Sequence, residues 1–205
     1  MLKETIILIL ILIVLNITFI YLNQKYLVTR SVAETAINGD YNESHIDQWT
    51  TINDMFNVYQ YIKSPIKLIM SIFMLSAFFF FAYNSVKKID IRFSEILRFV
   101  TLGWYVYLLP PIFTFAWFSF MYTDYTYSEL GSFNVFSFKH LFDQSRVSEL
   151  EMLIYKSFSW IDLFFILIVG YLFYKRSNDW RFSYLNTSIA IIALSLFSLS
   201  LSYLL

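Results

Sequence analysis

The chain has no cysteine, which excludes disulfides, thiolate metal sites and cysteine nucleophiles together. Glycine is nearly as scarce, at four residues, and proline stands at three. Charge is thin as well. Fifteen basic and fifteen acidic side chains cancel, removing the electrostatic case for a nucleic-acid partner. Charged residues make up 15% of the chain, against about 25% in ordinary soluble proteins. No nucleophile elbow, phosphate loop or zinc-protease helix motif occurs. The chain therefore reads as a protein that is not an enzyme and holds no cofactor.

What is present is apolar and bulky: 58% of the 205 residues are hydrophobic, with 23 Phe and 16 Tyr. That is too much apolar surface for one soluble core. A helical crossing of a hydrocarbon layer about 30 Å thick needs roughly 20 apolar residues. Five runs meet the need, at about Thr5 to Leu22, Pro65 to Val86, Ile96 to Met121, Phe158 to Tyr174 and Tyr184 to Leu205. The short alternating segments of a membrane barrel are absent, so the expected fold is all-α, a polytopic membrane helix bundle of five transmembrane helices. The first run is long for a signal core and no small-x-small cleavage site follows it, so residues 1–22 read as a retained anchor. An outer connection over 23–64 and a four-helix membrane domain over 65–205, itself interrupted by an outer loop at about 122–157, complete the expected organisation.

Orientation follows from Lys and Arg in the short connections. Lys87, Lys88, Arg92 and Arg98 lie between runs two and three, and Lys175, Arg176 and Arg181 between four and five. Both turns belong in the cytoplasm, which puts the N-terminus inside and the C-terminus outside. The two long connections then face outward and carry most of the acids. Long structureless loops are uncommon in compact proteins, so both are expected to fold. Trp49, Ile52, Phe56 and Tyr59 recur at i, i+3, i+7 and i+10, one stripe of a helix leading toward Pro65 that suits a partner. Val147, Leu150, Leu153 and Ile154 make a similar stripe, and the pattern predicts short amphipathic helices in the outer loops.

Four features carry candidate chemistry. Pro110 and Pro111 sit mid-run, so the carbonyls of Val106 and Tyr107 lose their helical partners and the helix should kink or break. Such a break either exposes backbone oxygens to an ion or substrate, or merely bends a helix. Asp162 is the one acid inside a membrane run, with Tyr107 as a polar side chain beside the break. It reads either as an intramembrane polar site or as a carboxylate suited to a helix start. Ser188, Ser195, Ser198 and Ser202 align on one face of the last run as a helix-packing seam, with a polar permeation path as the sharper alternative. His45, Asp47 and Asp54 match no metal-ligand spacing, so no metal site is assigned.

From about Lys63 onward, the last four runs, the stretch Phe93-Ser94-Glu95-Ile96-Leu97-Arg98-Phe99 before the proline-broken helix, and Ser159-Trp160-Ile161-Asp162-Leu163-Phe164 opening the next resemble the small bacterial membrane proteins grouped with the Yip1-like family. The resemblance implies a multi-pass protein that works through binding partners, and it brings no catalytic residues. Partners are then membrane lipids and other membrane-protein subunits. The expected function is a non-catalytic subunit that docks on a larger membrane or envelope complex of the secretion or export type. The competing expectation is a small transporter or channel using the broken third helix.

Overall fold

The computed structural model describes residues 2–29, 32, 35, 43–86, 89–133, 135–138 and 159–204, without the side chains of 43–58, 86, 131, 132 and 196–204. Within these residues the chain is helical, and the sole extended pairing is an isolated bridge between Ser137 and Ser159. Helix α1 covers Leu2–Leu22 and widens into a π turn at Asn23–Leu27. Helix α2 covers Glu43–Phe81, again followed by a π turn, Ala82–Val86. Helices α3 (Phe93–Trp104) and α4 (Leu109–Ala116) are joined by a 3-10 turn, Tyr105–Leu108, and α4 ends in a π turn at Trp117–Met121. A short helix α5 (Tyr127–Ser132) precedes α6 (Trp160–Ser177) and α7 (Trp180–Leu204).

Among the described residues three stretches are long and apolar enough to cross a membrane: Leu2–Leu27, Tyr59–Ser85 and Phe93–Met121. The expectation of five is thus met in part. Helix α6 is 18 residues long and includes Asp162, Lys175 and Arg176, so it is short, roughly 27 Å by its rise per residue, and charged at both ends. The side chains of α7 beyond Ser195 lie outside the described residues.

The second expected boundary moves. Pro65 does not open a helix; it lies inside the 39-residue α2, which begins at Glu43. The stripe from Trp49 to Tyr59 therefore belongs to the same helix as the membrane stretch. The Val147 to Ile154 stripe falls outside the described residues.

The chain forms two compact units: Met1–Leu10, Ile69–Tyr107 and Val135–Leu205 in the first, Ile11–Leu68 and Leu108–Asn134 in the second. The first unit is built on Phe173 of α6. Tyr83 stacks on it at 4.5 Å, Phe79 lies at 4.8 Å and Phe99 meets it edge-on at 5.4 Å. Phe173, Phe79 and Tyr83 are fully buried. Two of the four glycines let these helices approach. A Cβ at Gly103 would come within 2.3 Å of Val169 and within 2.9 Å of Phe165, and one at Gly170 within 2.5 Å of the Tyr184 ring. Close approach replaces hydrophobic driving force with dispersion contact, the main cohesion available between apolar helices in lipid.

Three buried hydroxyls in this unit are satisfied by their own helices. Ser76 donates to the Ile72 carbonyl, Thr101 to Leu97 and Thr187 to Ser183, at 2.7, 2.7 and 2.8 Å. The α2–α3 connection is held by Asn84, whose amide donates to the Ile91 carbonyl and whose oxygen accepts from the Ile91 N–H, both at 3.1 Å.

The second unit has a smaller core of Leu27, Val32, Phe118 and Tyr125, with Phe115, Leu130 and Phe133 against it. Tyr125 donates to the Leu27 carbonyl at 2.8 Å, and the Tyr127 N–H donates to the Thr35 hydroxyl at 2.9 Å. These bonds join the two long connections across more than ninety residues of sequence. Helix α1 meets α2 through Ser64, which donates to Asn16 at 2.7 Å.

Candidate functional site

Helix α6 starts where it does because Ser159 caps it. The Asp162 N–H donates to the Ser159 hydroxyl at 3.4 Å, and the Asp162 carboxylate reaches back to accept from the Ser159 N–H at 2.7 Å and its hydroxyl at 2.8 Å. This reciprocal box satisfies donors that the first helical turn leaves without partners. The start is fixed further by the Trp160 N–H, which donates to the Phe136 carbonyl at 2.9 Å, and by the Trp160 ring edge-on to Phe138 at 4.9 Å.

The second carboxylate oxygen of Asp162 accepts from the Tyr107 hydroxyl at 2.6 Å. Tyr107 belongs to the 3-10 turn between α3 and α4, and its ring lies 4.6 Å from Trp104 and 5.8 Å from Phe165. Asp162 is 9% exposed. A nearly buried carboxylate is costly without partners, and here both oxygens have them. The two residues singled out in sequence as an intramembrane polar site are thus brought into direct contact. Asp162 is also the third residue of its helix, where a negative charge suits the helix dipole.

Pro110 and Pro111 occupy the first turn of α4. The helix is interrupted by the four-residue 3-10 turn before them, and the proline nitrogens stand where an N–H would lack a helical partner anyway. The Asn23 amide donates to the Pro111 carbonyl at 3.4 Å. In the same unit the Asn23 and Gln24 side-chain oxygens are buried without a hydrogen-bond donor. In the first unit the indole nitrogen of Trp104 is likewise buried and without a partner.

The serine face is placed differently from its outline in the sequence. The fully buried face of α7 consists of Ser183, Thr187, Ala190 and Ile191. Ser188 and Ser195 are half-buried, and the side chains of Ser198 and Ser202 lie outside the described residues. Small residues do line the packed face, shifted by one position from Ser188. Of the outer stripe, Tyr59 is 55% exposed with the Lys63 ammonium 5.2 Å from its ring centre; the side chains of Trp49, Ile52 and Phe56 are outside the described residues.

Ser159 went unread as a cap, although Ser-x-x-Asp before an apolar run is a capping-box pattern. The pairing of Tyr107 with Asp162 spans 55 residues and leaves no local signal. Among the described residues no group of three or more His, Asp or Glu is gathered as a metal would need. No family model matches the chain, and no curated protein and no solved structure matches it.

Proposed function

We propose that the chain is a non-catalytic subunit of a bacterial inner membrane that crosses the bilayer five times and docks on a larger membrane or envelope complex. Membership of the Yip1-like proteins is part of this reading and rests on the motifs around Phe93 and Ser159. The observation that carries the docking role is the exposure of α1. Only 11% of its apolar window is buried within the chain, and Ile7, Leu10 and Val14 are each more than half exposed. An anchor helix that contributes so little to its own fold offers its side to lipid or to another helix. Asp162 serves as a cap and tyrosine acceptor, and the proline pair begins a helix, which supports a structural reading of both.

Photo-crosslinking tests the docking role. A crosslinker at Ile7 or Val14 is expected to capture one defined protein in cells, and one at Leu12, fully buried, to capture none. Lipid adducts alone at Ile7 and Val14, with a monodisperse single-chain particle on purification, would sink the proposal. Topology has its own test, made clean by the absence of native cysteine. With the N-terminus inside, Asp124→Cys reacts with an impermeant maleimide on intact spheroplasts and Asn178→Cys reacts only after permeabilisation. The reverse pattern overturns the orientation.

A second reading, a small transporter or channel at the broken helix, draws on the buried Asn23 and Gln24 oxygens that lack a donor near the Pro111 carbonyl. It expects solute flux in reconstituted vesicles that falls in Pro110→Ala and Asp162→Asn. Equal flux in all three forms removes it.

A further inference from the structure

The turn between α6 and α7 is fixed from within. Asn178 takes the left-handed conformation, φ 57 and ψ 22, and its N–H closes α6 on the Tyr174 carbonyl at 2.8 Å. Asp179 caps α7 by accepting from the Phe182 N–H at 3.0 Å, and the hydroxyls of Ser177 and Ser183 are 2.9 Å apart. Arg176 ties this turn to the start of α3, with its Nε 3.2 Å from the Glu95 carboxylate and its Nη2 donating to the Asp90 carbonyl at 3.4 Å. These contacts consume Arg176. They leave Lys175, Arg181 and Arg92 exposed and without an acidic partner among the described residues.

Each helix places its free cation at the end of an exposed apolar stripe. On α6, Leu167 and Tyr171, 55% and 54% exposed, lie eight and four residues before Lys175 on one helix face. On α7, Leu185 and Ile189, 61% and 45% exposed, lie four and eight residues after Arg181. These helices meet at Gly170 and Tyr184, about a quarter turn round from either stripe, and the exposure of the stripe residues shows that both face outward. Beside them Trp180 is 58% exposed, with the Arg181 guanidinium 5.4 Å from its ring centre.

A cation heading an apolar stripe, with an exposed tryptophan at the same level, has the polarity of a phospholipid: phosphate at the charge, acyl chain along the stripe. We propose that this end of the first unit docks anionic phospholipid headgroups through Arg92, Lys175 and Arg181, with acyl chains along the outward faces of α6 and α7. The stripes distinguish this occupant from a free anion, which would use the charges and ignore the apolar faces. The inference rests on the reading that α6 and α7 cross the bilayer; the cysteine labelling above tests the α6 crossing separately, and Ser202→Cys, labelled from outside on intact spheroplasts, tests that of α7.

The full chain, purified in detergent, is titrated with phosphatidylglycerol, phosphatidylcholine or inorganic phosphate and read by native mass spectrometry. Phosphatidylglycerol is expected to bind more tightly than phosphatidylcholine by about a hundred-fold, since each basic side chain contributes about 1 kcal/mol toward an anionic headgroup. The triple variant Arg92→Gln, Lys175→Gln, Arg181→Gln loses that preference. The charge-conserving pair Lys175→Arg, Arg181→Lys keeps it, as does Lys25→Gln in the second unit. Equal binding of the two lipids by the wild type, an unchanged preference in the triple variant, or displacement of phosphatidylglycerol by phosphate at equal concentration overturns the proposal.

Discussion

The two units hold together by different means. In the first, helices pack through rings on Phe173 and through the bare backbone at Gly103 and Gly170, while the hydroxyls of Ser76, Thr101 and Thr187 turn back onto their own helices. In the second, the core is small, and tyrosine and threonine side chains reach across to the backbone of distant segments, as Tyr125 does to Leu27 and Thr35 to Tyr127. Where helices supply every backbone partner, packing does the joining. Where the chain leaves regular structure, backbone groups remain to be satisfied and side chains must do it.

The largest expected effect probes the packed unit at its hub. Phe173→Ala removes the ring that Tyr83, Phe79 and Phe99 all touch. It should destabilise the detergent-solubilised protein by about 3 kcal/mol, within the range for truncating a fully buried Phe. Thermal unfolding followed by circular dichroism reads it. A loss no greater than that of an exposed control, Phe120→Ala, would mean the rings merely neighbour one another.

Tyr107→Phe comes next, because there a side chain of the first unit reaches beyond its own helix. The hydroxyl bonds a carboxylate on another element, and its loss leaves a nearly buried oxygen of Asp162 short of a donor. Hydrogen bonds to charged groups are worth about 1.5–3 kcal/mol, so a loss near 2 kcal/mol is expected on the same measurement. Tyr125→Phe removes a neutral bond to the Leu27 carbonyl and should cost about 1 kcal/mol. If the two tyrosines lose equal amounts, the carboxylate at Tyr107 is solvated and the contrast between the units narrows.

The same contrast explains what could be read from sequence. Helices over the apolar runs follow from composition, and the break at Pro110 follows from a missing N–H. The union of the Trp49 stripe with the membrane stretch was hidden by Pro65, whose usual role as a boundary is overridden in the 39-residue α2. The small-residue seam of the last helix was expected at Ser188, Ser195, Ser198 and Ser202, whereas the buried positions of α7 among the described residues are Ser183, Thr187, Ala190 and Ile191. Long-range bonds such as Tyr107 to Asp162 and Tyr125 to Leu27 carry no periodicity and become visible only when the elements are placed.

The smallest effect lies in the second unit, at a cap built like that of α6 but open to water. Thr126 accepts from the Glu129 N–H at 3.2 Å, and the Glu129 carboxylate accepts from the Thr126 N–H at 2.8 Å. That backbone bond, with the Thr126 hydroxyl second, holds the Glu129 carboxyl below its ordinary range. A carboxyl whose folded value is depressed lends stability that is complete above the unfolded value and lost as pH falls through the folded one. Protection of the Thr126 and Glu129 amides against hydrogen exchange, corrected for intrinsic rates, should therefore be held across the ordinary carboxylate range and drop at the more acid pH where the folded carboxyl takes up its proton. Glutamine closes the same box without titrating, so Glu129→Gln should keep the protection and flatten its pH profile. A profile unchanged in that variant would move the titrating group away from the cap, while the nearly buried Asp162 box in the first unit would still stand as its water-excluded counterpart.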